Sequence, residues 1–381
     1  MFYIVQKQSP RFHELTLDDI LSGEKDVSHS FYRYDKTGTI TRAVDRVSIS
    51  EKQLAMLISV LRSFNERHKD LIEEPDRKKL YDEFYIPKKS GGLRRIDAPC
   101  EKLKEAQREL KGIFTDDGGF EAKYHTAAFA YVSGRSTVDS IKKHQSNLSR
   151  WFLKTDFSDF FGSTTKDFVL RMLAMIYPFC CVMEDEAGRK ELETAIDLCF
   201  LNGGLPQGTP ISPMLTNLIM IPIDHAIAKE MWSKGYCYTR YADDSLFSHP
   251  YEFDKDKVLA FVDQVLREFG APFSIKPQKT RYGSSSGSNW NLGIMLNREN
   301  KMTIGYKNKD RLMAMCHNFI CNMRDGILWD VHDVQVMSGL ISYYKMIEPD
   351  VIDRIIIHIN KKHHANLMAM IKNALNGTEA S

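Results

Sequence analysis

Two adjacent carboxylates, Asp243 and Asp244, interrupt a run that otherwise reads as a β-hairpin, with Tyr236, Tyr238, Tyr241, Leu246 and Phe247 around them. Neighbouring carboxylates repel, so a hairpin tip that holds two calls for a counter-charge. A hard divalent cation bridging to phosphate oxygens supplies one. A polar turn is the bland alternative, and the upstream sequence argues against it. Asp156 lies 87 residues earlier in Trp151-Phe152-Leu153-Lys154-Thr155-Asp156-Phe157-Ser158-Asp159-Phe160-Phe161, a second apolar, strand-like stretch broken by acid. If the two elements pair, three carboxylates converge, which suits a two-cation site for in-line phosphoryl transfer.

Between these acids runs Leu205-Pro206-Gln207-Gly208-Thr209-Pro210-Ile211-Ser212-Pro213, a tight loop leading into a helix-like apolar segment from Met214 to Met231. The Gln207 amide is a candidate nucleotide contact. Earlier, Pro87-Lys88-Lys89-Ser90-Gly91-Gly92-Leu93-Arg94-Arg95-Ile96-Asp97 sets four cations around a Gly-Gly turn. Such a hairpin can hold a triphosphate, with arginine best suited to paired phosphate contacts; a solvated basic loop is the alternative.

These blocks resemble, in order, the palm motifs of reverse transcriptases, specifically the bacterial lineage of group II intron, retron and defence-associated enzymes. The resemblance runs from about Phe84 to Asn297 and more loosely beyond. It implies an α+β right-hand polymerase fold, with fingers, a palm whose antiparallel sheet carries Tyr241-Ala242-Asp243-Asp244, and a helical thumb. Asp156, Asp243 and Asp244 would hold two Mg²⁺ ions, for which Mn²⁺ can substitute. Asp159 does not match the ligand spacing and reads as structural or solvent-facing. Phe161, five positions after Asp156, matches an aromatic gate that leaves no room for a ribose 2′-hydroxyl, with Phe160 as the buried ring. Lys88 and Arg94 match triphosphate-contacting positions.

By the same resemblance, Arg135 in Ala128-Phe129-Ala130-Tyr131-Val132-Ser133-Gly134-Arg135-Ser136 would touch template. Lys279 would protonate the leaving pyrophosphate. Gly293, in a hairpin formed by Trp290–Leu296 and Lys301–Gly305, belongs to the primer grip. The stretches Asn291-Leu292-Gly293 and Ser140-Ile141-Lys142-Lys143-His144 keep only the glycine and histidine of the retron pattern, and His144 is expected on a helix surface. Lys307, Lys309, Arg311 and Lys345 are candidate phosphate contacts.

The formal net charge of +2 leaves nucleic-acid binding to local distribution, and residues 76–112 carry eleven Lys/Arg against seven Asp/Glu. Residues 135–154 carry five against one, as the positive walls of an acid-floored cleft would. Seven cysteines without a Cys-x-x-Cys spacing read as buried reduced thiols, and His363-His364 as part of a solvated helix face. With no signal-like start or membrane-length apolar run, the expected location is the cytoplasm.

The expected domains are a largely helical N-terminal extension (1–75), fingers (76–150), palm (151–304, with finger-side helices near 166–201) and thumb (305–381). Ser50 to Gln53 fits a capping box, opening a helix with Leu54, Leu57, Ile58, Leu61 and Phe64 on one face. Three helices and a methionine-rich core are expected in the thumb. No RNase H, nuclease or maturase extension is expected. The implied function is RNA-templated DNA synthesis from a cognate structured non-coding RNA, serving as template and in some cases primer, in an anti-phage system. Its partners would be that RNA, the cDNA product, dNTPs and an effector protein or further copies of the chain, with no membrane. Untemplated or protein-primed synthesis at the same site, or an inert nucleic-acid-binding scaffold, are the rival readings.

Overall fold

The computed structural model describes residues 2–7, 29–34, 40–44, 49–88, 91–116, 119–285, 290 and 293–376. Strands β1 (Phe2–Lys7), β2 (His29–Tyr34) and β3 (Ile40–Val44) form an antiparallel sheet of that order. The extension expected to be largely helical therefore begins as a sheet. Its runs Phe-Tyr-Ile-Val and Phe-Tyr favour extended backbone over helix. Among the described residues, helix begins at α1 (Glu51–Arg67), where Ser50 and Gln53 complete the capping box in both directions. Leu57, Leu61 and Phe64 are its buried stripe.

Strands β4 (Tyr81–Pro87) and β5 (Leu93–Pro99) pair antiparallel from Tyr81 with Pro99 to Pro87 with Leu93. Gly91 and Gly92 turn the hairpin at φ +86° and +79°, which glycine adopts without strain; Lys89 and Ser90 lie outside the described residues. Helix α2 (Glu101–Thr115) follows and buries Phe114. Helix α3 (Thr137–Ser146) opens on a Ser136–Asp139 capping box.

Next come β6 (Trp151–Asp156), α4 (Lys166–Leu173), α5 (Phe179–Glu184) and α6 (Glu186–Asp197). The finger-side helices expected near 166–201 are three, because Pro178 cannot continue a helix and Asp185 caps a new one by accepting from the Gly188 amide. Helix α7 (Ser212–Ser233) is apolar all round and buried on every side, so it is the core around which the first unit packs. Strands β7 (Cys237–Tyr241) and β8 (Asp244–His249) form the acid-bearing hairpin. Helix α8 (Lys255–Glu268) and β9 (Arg281–Ser284) follow, and the sheet order is β7-β8-β6-β9.

After the short pair β10 (Met295–Leu296) and β11 (Met302–Thr303), the chain is helical: α9 (Tyr306–Arg324), α10 (Val331–Ile347), α11 (Pro349–His363) and α12 (Leu367–Asn376). Four helices replace the expected three. His364 takes a left-handed φ of +46° and the Asn360 side chain accepts from the Leu367 amide, breaking the last stretch in two. Of the methionines expected to form the core here, only Met337 is fully buried; Met346 and Met368 are exposed, and Leu312, Phe319, Ile320, Ile341 and Ile352 fill the interior.

The chain forms two compact units: Met1–Arg135, Leu153–Phe247 and Asp254–Arg281 in the first, Ser136–Phe152, Ser248–Phe253 and Tyr282–Ser381 in the second. No described helix is long and apolar enough to cross a membrane. His144, in the second unit, is buried and bonded to the Ser248 hydroxyl at 2.5 Å, contrary to its expected surface position. It continues the buried face of Val138 and Ile141 at a helical spacing, and burial pushes its pKa down to about 3.

Candidate active site

The hairpin tip is held from beneath. Ala242 sits at φ +57°, and its carbonyl accepts from Arg240 Nη1 at 3.0 Å. The rest of that guanidinium pairs with Asp224 of α7 in the core, at 2.8–3.1 Å. Backbone bonds then knit the acids together. The Phe157 amide donates to the Asp243 carbonyl at 3.1 Å, and the Lys276 amide to the Asp156 carbonyl at 2.8 Å. Asp156 is buried, while Asp243 and Asp244 are half-buried.

Burial, then the charges of Asp156 and Asp244, push the Asp243 carboxyl up to about 6. Two ammonium groups offset the cluster: Lys279 Nζ lies 2.5 Å from Asp156 Oδ2, and Lys154 Nζ lies 2.7 Å from Asp244 Oδ2. Burial opposes the Lys279 charge, yet its bond to Asp156 and the neighbouring acids raise its pKa overall. Lys154 was not singled out from sequence. Its signal was the strand period, since it lies two residues before Asp156 and shares its face of β6. Three carboxylates that repel one another and hold two lysines are a donor set fitted to a hard divalent ion. Asp159, as expected, is exposed.

Phe160 is buried against Phe157 and Phe273, and Phe161 meets it edge-on at 5.6 Å while remaining half-exposed. The Phe161 carbonyl accepts from the Leu205 amide at 3.0 Å, which lays the ring's segment on the loop that carries Gln207. A Cβ at Gly204 would stand 1.9 Å from the Gly162 carbonyl oxygen, so only glycine permits that approach. The Gln207 carbonyl in turn accepts from the Asp97 amide of β5 at 2.8 Å, leaving its side chain half-exposed.

On β5, Arg95 is spent within the hairpin, on Asp97 at 2.7 Å and Glu83 at 3.0 Å. Arg94, with exposed Lys88, makes no ion pair among the described residues. Burial, then the charges of Asp243 and Tyr241, raise the Tyr131 pKa, and the Arg94 charge opposes the rise.

The template candidates fall out differently. Arg135 Nη1 donates to the carbonyls of His125 (2.6 Å) and Ala128 (2.7 Å), fastening a loop whose Phe129 amide bonds the Arg240 carbonyl. That is a positioning role, where a free template contact was expected. Gly293 (φ +99°) and the exposed Lys307 and Arg311 belong to the second unit. There Lys309 is engaged by Glu348 at 2.8 Å and Lys345 by Asp353 at 2.7 Å, so two of the proposed phosphate cations already have partners. Asn291 and Leu292 lie outside the described residues.

Residues 86–305 match the family described as reverse transcriptase (RNA-dependent DNA polymerase). Among curated proteins, the chain is 28% identical to retron Ec83 reverse transcriptase of Escherichia coli, across 77% of this chain and 89% of that protein. It is 29% identical to retron Mx65 reverse transcriptase of Myxococcus xanthus, across 76% and 66%. Among solved structures, apo telomerase from Candida tropicalis is 13% identical over 86% of this chain and 66% of that one, at a TM-score of 0.44, a likeness too slight to carry an argument. The family match spans more than half the chain and contains the Asp156, Asp243 and Asp244 cluster; the chain belongs to the reverse transcriptase family of RNA-directed DNA polymerases.

Proposed function

We propose that this protein copies a cognate structured non-coding RNA into DNA as part of a bacterial anti-phage system, with Asp156, Asp243 and Asp244 holding two Mg²⁺ ions. The convergence of those three carboxylates under two lysines carries the reading. The names of the relatives, retron reverse transcriptases, support the RNA-linked role. When bound, the ions supply Lewis-acid stabilisation to the attacking and leaving oxygens.

The chain's own residues do the rest. Arg94 and Lys88 grip the triphosphate from the exposed hairpin, which serves as the fingers. Gln207 lines the nucleotide's position, and Phe161 blocks a 2′-hydroxyl. Lys279, held beside Asp156, would donate a proton from its ammonium to the departing pyrophosphate. The helices of 305–381 serve as the thumb, with Lys307 and Arg311 on phosphates.

Sequencing the RNA and DNA that co-purify with the protein tests this. One RNA species with a matching DNA complement is expected, together with dNTP incorporation that disappears on RNase treatment of the template. Incorporation indifferent to RNase would overturn the templated reading.

A further inference from the structure

A second cluster of metal-ligating side chains lies among the C-terminal helices, made of residues that the proposed polymerase chemistry does not use. His317 and Cys321 stand four residues apart on α9, so helical geometry puts them on one face. His363 is the last residue of α11. Its Nε2 lies 2.7 Å from His317 Nδ1, and Cys321 Sγ lies 4.0 Å from that same Nδ1. The three donor atoms all fall within 4.8 Å of one another.

A tetrahedral zinc, with nitrogen at about 2.0–2.1 Å and sulfur at about 2.3 Å, sets its donors roughly 3.3–3.6 Å apart. The two imidazoles need to part slightly and the thiol to approach slightly. Both are rotamer-scale movements. We propose that His317, Cys321 and His363 bind a zinc ion that staples the end of α9 to the end of α11, with water in the fourth position.

The donor set selects the metal. One thiolate and two imidazoles suit zinc and disfavour Mg²⁺, which takes oxygen ligands. The bland alternative, a simple His–His hydrogen bond, leaves the convergence of the thiol unexplained. His363 is buried and His317 and Cys321 are half-buried, so the site has an entry path. Arg324 donates to the His363 carbonyl, already fixing the chain where the ligand sits. The expectation of a solvated His363 and a buried inert Cys321 is therefore corrected: the ring is inside and the thiol is half-exposed beside it.

Full-length protein stripped with a chelator is titrated with Co²⁺, which reports thiolate ligation by a near-ultraviolet charge-transfer band and tetrahedral geometry by intense visible bands. One Co²⁺ per chain is expected, displaced by Zn²⁺. Both signals should be lost in Cys321→Ser and the visible bands weakened in His363→Gln, with far-ultraviolet circular dichroism confirming folding. Both should persist in a variant carrying Asp243→Asn and Asp244→Asn. Independently of any variant, Zn²⁺ should slow alkylation of Cys321 in the wild-type chain by about tenfold or more, read by peptide mass spectrometry. No thiolate band, a band that survives Cys321→Ser, or unprotected Cys321 would overturn the site.

Discussion

Arg240 and Asp224 are both fully buried, and their side chains meet through three nitrogen–oxygen contacts of 2.8–3.1 Å. The fourth arm of this arrangement reaches the Ala242 carbonyl, so the pair couples the central helix α7 to the turn that presents Asp243. Tyr238 adds a hydroxyl bond to Asp224 at 2.8 Å. Removing one partner strands a charge in the core. Asp224→Ala should therefore destabilise the protein by roughly 3–5 kcal/mol, and Asp224→Asn by less, because the amide keeps the shape and one acceptor. Urea unfolding measures both. A loss under about 1 kcal/mol in Asp224→Ala would show that the pair does not anchor the hairpin.

Asp243→Asn with Asp244→Asn should abolish dNTP incorporation and leave folding and RNA binding largely intact, since metal-binding charge goes and shape stays. Wild-type rates in that variant would remove these acids from catalysis.

A pH dependence follows from the strain on Asp243. Its folded pKa, near 6, lies above the unfolded value of 3.8. Folding therefore takes up protons between those values, and stability falls as pH rises through the window. In chelator, Asp243→Asn should raise the melting temperature at pH 8, by an amount worth no more than about 3 kcal/mol, and change it little near pH 4. Equal effects at both pH values would mean that repulsion among the acids is not the cause.

The gate proposed for Phe161 works by clash, with no hydrogen bond involved. Phe161→Ala or Phe161→Val should admit rNTPs much more readily while dNTP use persists. A wild-type enzyme that already uses both sugars alike would end the gate assignment.

Arg94 is exposed and unclaimed by the hairpin's own acids, whereas Arg95 is engaged. A charge-assisted bond to phosphate is worth roughly 1.5–3 kcal/mol, so Arg94→Ala should cut incorporation efficiency by about one to two orders of magnitude. Arg94→Lys should recover part of it, keeping charge and losing the planar fork. RNA binding, spread over many phosphates, should hardly change. Equal losses in RNA binding and dNTP use would move Arg94 to the nucleic-acid track.

Local patterning in the sequence determined the hairpin at Asp243 and Asp244, the capped helix from Glu51 and the amphipathic helices. These depend on periodicity, caps and neighbouring residues, which a linear chain carries. Tertiary structure alone decided which charges meet. Lys154 finds Asp244 across 90 residues, Arg135 folds onto nearby carbonyls, and Lys309 is taken by Glu348. His363 turns inward to His317 across 46 residues, at the end of the α11 face that buries Ile352, Ile355 and Ile359. A cation's partner depends on which strands and helices pack side by side, and neither composition nor spacing records that packing.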